Sequence, residues 1–171
     1  MRRTLTTVVI TTIINQVGTK LQQELKQTRA FSGIEEEVIL NVARTAEYFL
    51  SRLADVLKSA ELTPTQYNAL RILRGAGANG LTCGDISERM VTKDSDITRL
   101  LDRLERRGLV RRQRPENNRR IVVTGITSDG LRLLADLDGP LQEAQQKLLA
   151  HIGKQRLTDL NEMLEACRDD K

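Results

Sequence analysis

Residues 80–127 decide how the rest of the chain is read: GLTCGDISERM (80–90), VTKDSDITRLLDRLERRG (91–108) and LVRRQRPENNRRIVVTGIT (109–127). From Arg99 to Arg120 there are nine arginines (Arg99, Arg103, Arg106, Arg107, Arg111, Arg112, Arg114, Arg119, Arg120) against three acids (Asp102, Glu105, Glu116). That is a local charge of +6 in a 171-residue chain whose net is +4, so the remainder is slightly acidic. Guanidinium stays ionised and its planar fork matches phosphate oxygens in pairs, so this density points to a polyanion. With 2% aromatic residues and no Trp, the chain lacks the stacking platforms of single-strand binders. Duplex is the expected polyanion.

Within this stretch, Thr82 caps a helix from Cys83 to about Met90 that turns Ile86 inward. A basic helix follows from about Lys93 or Asp94 to Arg107. Ile97, Leu100, Leu101 and Leu104 form its inner stripe at spacings of three and four. Asp94, Ser95, Thr98, Arg99, Asp102, Arg103 and Arg106 are left for its outer face, and Gly108 supplies a left-handed stop. Residues 109–114 and 119–126 read as two strands joined by the turn Pro115-Glu116-Asn117-Asn118. Gly125 marks a bulge or a close backbone approach. Helix, turn, helix and hairpin in this order make a winged helix-turn-helix, and the predicted class is mainly α with a small β wing.

Working outward, Thr63-Pro64-Thr65-Gln66 is a capping box with proline at the first helical position, opening a helix that carries Tyr67, Leu70, Ile72 and Leu73 and stops at Gly75. Ser32 and Glu35 form another box ahead of a long helix with Val38, Val42, Phe49, Leu53 and Val56 on one stripe, ending near Ala60. Leu21 and Leu25 suggest a short surface helix in 19–29. Downstream, Thr127 caps a helix with Leu134, Leu137, Leu141, Ala144 and Leu148, which Gly139-Pro140 is expected to kink or split. After Gly153 a last helix, 154–168, is predicted to bury Leu157, Leu160 and Leu164. Residues 1–17, MRRTLTTVVITTIINQV, contain an apolar run too short to span a bilayer and read as a tail leaning on a partner subunit, or as a misassigned start. The flanking helices carry more leucine-type surface than a 65-residue winged module covers, so a second copy of the chain is the expected cover, with pairing of the first and last helices inside one chain as the alternative.

Two cysteines, Cys83 and Cys167, and the single His151 leave no disulfide framework and no expected metal or cofactor site. Cys83 reads as a small residue in a buried turn in preference to a redox-sensing thiolate. There is no phosphate-binding glycine loop, no HExxH and no Ser/His/Asp set, so no enzyme is expected. A reducing cytoplasm is the expected setting.

The motifs TPTQYNALRIL, GLTCGDISERM, ITRLLDRLERRGLVRR and NRRIVVTGIT followed by SDGLRLL, in this order and spacing, resemble the multiple-antibiotic-resistance regulator (MarR) family, over residues 34 to the C-terminus. The resemblance implies a homodimeric transcriptional regulator, a ligand-responsive repressor on a pseudo-palindromic operator. It divides the chain into a tail and short helix (1–31), dimerisation helices (32–60 and 128–171) and a central DNA-binding domain (61–127). The basic helix would enter the major groove, where Ser95, Thr98 and Arg99 reach base edges, Arg99 being suited to guanine. Asp94 and Asp96 are expected to cap that helix, while Thr82, Arg103 and Arg106 meet phosphate and Lys93 and Arg114 complete the DNA-binding set. The family's wing usually carries Asp-x-Arg, and the matching positions here are Asn118-Arg119-Arg120. Arg120 would then be the minor-groove arginine and Arg119 a phosphate contact, with Asn118 departing from the pattern because an amide lacks charge assistance. A small aromatic or phenolic effector is implied, with Tyr48, Phe49, Arg52 and Tyr67 as candidate lining. No cysteine lies in the first long helix, so peroxide sensing by the family's cysteine route is not expected. The competing reading is a winged module that binds protein instead of DNA.

Overall fold

A computed structural model describes residues 19–92, 96–114 and 121–169, and the chain divides into two compact units after Phe49. The tail 1–17 and the turn 115–118 with Arg119 and Arg120 lie outside the described residues.

In the first unit, α1 (Lys20–Glu24) is a short helix whose Thr19 hydroxyl accepts from the Gln22 N–H. Helix α2 (Ile34–Leu57) begins here. Its acid partner for Ser32 is Glu36 and not the expected Glu35: Glu36 accepts from the Ser32 N–H at 2.6 Å and hydroxyl at 2.7 Å. The helix opens at Ile34, one residue later than the motif implied, so Glu36 occupies the third helical position that faces back over the start.

The second unit takes in the end of α2, a 3-10 turn (Lys58–Ala60), α3 (Pro64–Ala76), α4 (Cys83–Arg89), α5 (Ile97–Arg106), β1 (Val110–Gln113), β2 (Val123–Ile126), α6 (Ser128–Leu149) and α7 (Lys154–Ala166). Both halves of the Thr63/Gln66 capping box form, as does a second box between Thr82 and Asp85. Leu57, Leu70, Leu73, Ile86, Leu101, Leu104 and Leu134 are enclosed at the centre, so the inner stripe of α5 packs as its spacing predicts. Burying each such leucine stabilises the fold by about 1.5–3 kcal/mol, which outweighs the modest propensities of these short helices.

β1 and β2 pair antiparallel from Val110 opposite Ile126 to Gln113 opposite Val123, and Leu81 bridges to Thr124 on the other edge through two backbone hydrogen bonds of 2.8 and 2.9 Å. The close backbone approach expected at Gly125 occurs at Gly80 instead. Gly80 has φ +64°, and a Cβ there would meet the Thr124 carbonyl oxygen at 2.7 Å. Gly125 sits in an unbroken ladder opposite Arg111, with nothing within 4 Å of an added Cβ.

α6 starts where the Thr127 hydroxyl accepts from the Gly130 N–H and donates to the Gly108 carbonyl. Pro140 does not split it: the helix runs unbroken to Leu149. The carbonyl that proline leaves without a donor is that of Asp136, and both residues are exposed, so the helix passes the proline on a face open to solvent. α7 has no buried residue; Leu157 and Leu164 are half-buried and Leu160 is exposed, contrary to the expected burial, because nothing in this chain's own second unit encloses that face.

Candidate nucleic-acid interface

Helix α5 turns Thr98, Arg99, Arg103 and Arg106 to solvent while its leucine stripe is enclosed. It begins at Ile97, later than the Lys93 or Asp94 expected from sequence, because Asp96 is its cap: one carboxylate oxygen accepts from the Arg99 N–H at 3.2 Å. The other oxygen lies 3.2 Å from Arg99 Nε. Such an exposed pair is worth at most about 1 kcal/mol, so Arg99 is steered at the start of the helix without being withheld from a stronger acceptor. Lys93, Asp94, Ser95, Asn118, Arg119 and Arg120 lie outside the described residues. Between the start of α3 and the outer face of α5 is a polar cavity of about 280 Å³, with Thr65, Gln66, Arg99 and Arg103 among its walls and Leu100 at its side.

The seven described arginines of the cluster are not equivalent. Arg107 donates to the Glu61 carbonyl at 2.7 Å and the Ala60 carbonyl at 2.9 Å. Those carbonyls end the turn after α2, where Glu61 adopts a left-handed φ of +51° and the Leu62 N–H returns to Leu57. Arg107 is thus a structural clasp. Arg112 is drawn onto α5, where it donates to carboxylates of Asp102 and Glu105 and to the Thr98 carbonyl. Burial pushes its pKa down, but the Asp102 hydrogen bond and charge, with Glu105 and Cys83, push it up further, so the net shift is upward. Arg99, Arg103, Arg106, Arg111 and Arg114 remain exposed, Arg106 Nε resting on the Asp102 carbonyl at 3.3 Å and Arg114 just beyond the end of β1.

Sequence reasoning counted Arg111 and Arg112 but assigned neither a role. The period-two alternation of β1 separates them: Val110 and Arg112 turn inward, Arg111 outward. Thr82, expected to meet phosphate, has its hydroxyl engaged by Asp85, donating at 2.6 Å and accepting the Asp85 N–H at 3.2 Å. Of the residues proposed for an effector, the rings of Tyr48 and Phe49 lie 5.9 Å apart in the first unit, tilted by 51°. In the second unit, Arg52 lies 4.0 Å from Asp55, and Tyr67 carries the Arg71 guanidinium 5.8 Å from its ring centroid. A second cavity, about 460 Å³, is formed at the α6–α7 corner by Leu149, Ala150, Gly153 and Leu157 among others. Among the described residues no helix is long and apolar enough to cross a membrane.

A sequence model described as the MarR family matches residues 62–122. A MarR transcription factor from Planctomyces limnophilus, known from its crystal structure, is 35% identical, with 80% of this chain and 98% of that one covered and a TM-score of 0.60. The homoprotocatechuate degradative operon repressor of Escherichia coli is 25% identical over 77% of this chain and 88% of its own length. CouR from Rhodococcus jostii RHA1, crystallised with p-coumaroyl-CoA, shares the fold at 23% identity and a TM-score of 0.67, covering 80% of this chain and 96% of that one.

Proposed function

Because this chain belongs to the MarR family, whose members are DNA-binding transcriptional regulators and not enzymes, we propose that it is a homodimeric repressor that reads a two-fold symmetric operator and releases it on binding a small aromatic effector. The observation that carries the DNA surface is the outward set Arg99, Arg103 and Arg106 on α5 with Arg111 and Arg114 alongside, five guanidinium groups left exposed by the fold. In this reading Thr98, Arg99 and the preceding Ser95 face base edges. Arg103, Arg106, Arg114 and Lys93 meet phosphates, and Arg120 enters the minor groove beside Arg119.

Residues 32–60 and 128–171 are assigned to the dimer. Ile34, Val38, Ile39 and Val42 are exposed on α2 in the first unit, and Leu160 and Met163 on α7 in the second, apolar side chains that a second copy would remove from water. The repressor role leans on the E. coli relative's name, and the effector class on the p-coumaroyl-CoA bound by CouR. Cys83 and Cys167 are free thiols, in keeping with a cytoplasmic regulator.

Selection from a random duplex pool, followed by titration at 50 to 200 mM salt, tests this. If six to ten phosphates are neutralised per dimer, affinity falls by roughly three to five decades across that range. Arg99→Ala should cost the best site about 1–3 kcal/mol and poor sites less, whereas Arg120→Ala should weaken all sites alike. Binding untouched by both substitutions, or capture of a protein with no duplex binding, would reject the assignment.

A further inference from the structure

Arg112 stands in the basic cluster by sequence but faces away from any polyanion. Its side chain is 24% exposed. One terminal nitrogen donates to Asp102 Oδ1 and to Glu105 Oε2 at 3.3 Å, and the other to the Thr98 carbonyl at 3.2 Å. Its backbone N–H donates to Glu105 Oε1 at 3.0 Å. Asp102 and Glu105, three residues apart, turn their carboxylates from α5 toward β1, and Thr98 contributes only its backbone carbonyl, its side chain staying exposed. A phosphate approaching this guanidinium would have to pass two carboxylates already bound to it. Arg112 is held equally firmly behind: it pairs with Thr124 in the ladder, and Thr124 in turn exchanges both backbone hydrogen bonds with Leu81.

We infer that Arg112 is a positioning residue for operator recognition: it locks α5 to the base of the wing, so that the base-reading helix and the hairpin meet DNA as one rigid unit at a set separation. This rests on the reading of α5 and the wing as the DNA surface. Its energetic signature differs from that of a phosphate ligand. Removing a phosphate contact lowers the slope of log affinity against log salt by about 0.9 per contact, on every sequence alike. Removing a lock leaves the counterion count unchanged, but the two reading elements no longer arrive together. Binding to the preferred site then suffers while sequence-independent binding does not. The same fork explains why lysine is a poor replacement, since one ammonium cannot serve carbonyl and carboxylate partners in a fixed plane.

The experiment compares Arg112→Gln, Arg112→Lys and the double variant Asp102→Asn/Glu105→Gln with wild type, each full length and checked for folding by thermal melting. Fluorescence anisotropy is read on the best selected duplex and on a random duplex across the salt range. Arg112→Gln is expected to weaken the selected duplex about tenfold or more and the random duplex less than about threefold, with an unchanged salt slope. Arg112→Lys should recover only part of the loss. The Asp102→Asn/Glu105→Gln variant, which keeps the arginine, should lose the preference too. It therefore decides the matter if Arg112→Gln does not fold. A slope shallower by about 0.9 per subunit in Arg112→Gln would make Arg112 a phosphate ligand and overturn the inference, as would full preference retained by the double variant. A wild type without preference between duplexes would overturn the underlying DNA reading, and the lock with it.

Discussion

Thr124 is fully buried in β2, and its hydroxyl has no hydrogen-bond partner among the described residues, although its backbone N–H and carbonyl are both bonded to Leu81. An enclosed hydroxyl without a partner carries its desolvation cost uncompensated, of order 1–3 kcal/mol. Valine has the same shape with a methyl in place of that hydroxyl. Thr124→Val should therefore raise stability by about 1 kcal/mol in urea unfolding, and a loss of similar size would show that the hydroxyl is satisfied by a water or by a residue beyond those described. Single residues also carry the difference between the arginines that hold the protein together and those that face outward. Arg107 and Arg112 are the first kind, and a count of positive charges by itself does not distinguish them from Arg99 or Arg111.

At the scale of elements, α4 is only seven residues long and depends on its start. The Asp85 carboxyl is held below its ordinary value of 3.8, first by the Thr82 hydroxyl that donates to it and then by the Thr82 backbone N–H. A carboxyl whose folded pKa is depressed contributes stability above the unfolded value and loses it as pH falls through the folded one. Asp85→Asn removes the titrating charge. The melting-temperature gap between wild type and this variant should be constant near neutrality and close as pH drops below 3.8; a gap that persists in acid would refute the role of the ionised cap. Glu36, depressed by the Ser32 N–H and hydroxyl, adds a further loss in acid at the start of α2. Element boundaries were for the most part legible in the sequence. The Thr63, Thr82 and Thr127 caps and the Gly108 stop stand where their motifs place them, because each acts over three or four residues. The Ser32 partner slipped by one position, since the motif alone does not say which residue opens the helix.

For the whole molecule, the exposed apolar residues set the expectation. Ile39 is 68% exposed on α2 and Met163 is 58% exposed on α7, each on a helix proposed for the dimer. Sedimentation of the wild type at micromolar concentration should give a dimer, while Ile39→Glu and Met163→Glu should shift it toward monomer and weaken operator binding by much more than one arginine substitution. A monomeric wild type would remove the basis for a two-fold operator.

The sequence by itself determined the order of helices and strands, their caps, the enclosed leucine stripe and the local excess of arginine, all of which follow from interactions between near neighbours along the chain. Only the tertiary structure decided what those arginines do. Arg107 meets carbonyls 46 and 47 residues away, and Arg112 reaches back 7, 10 and 14 residues to one face of a helix. Contacts of that kind are set by how a strand packs against a helix, and no spacing rule along the chain encodes them.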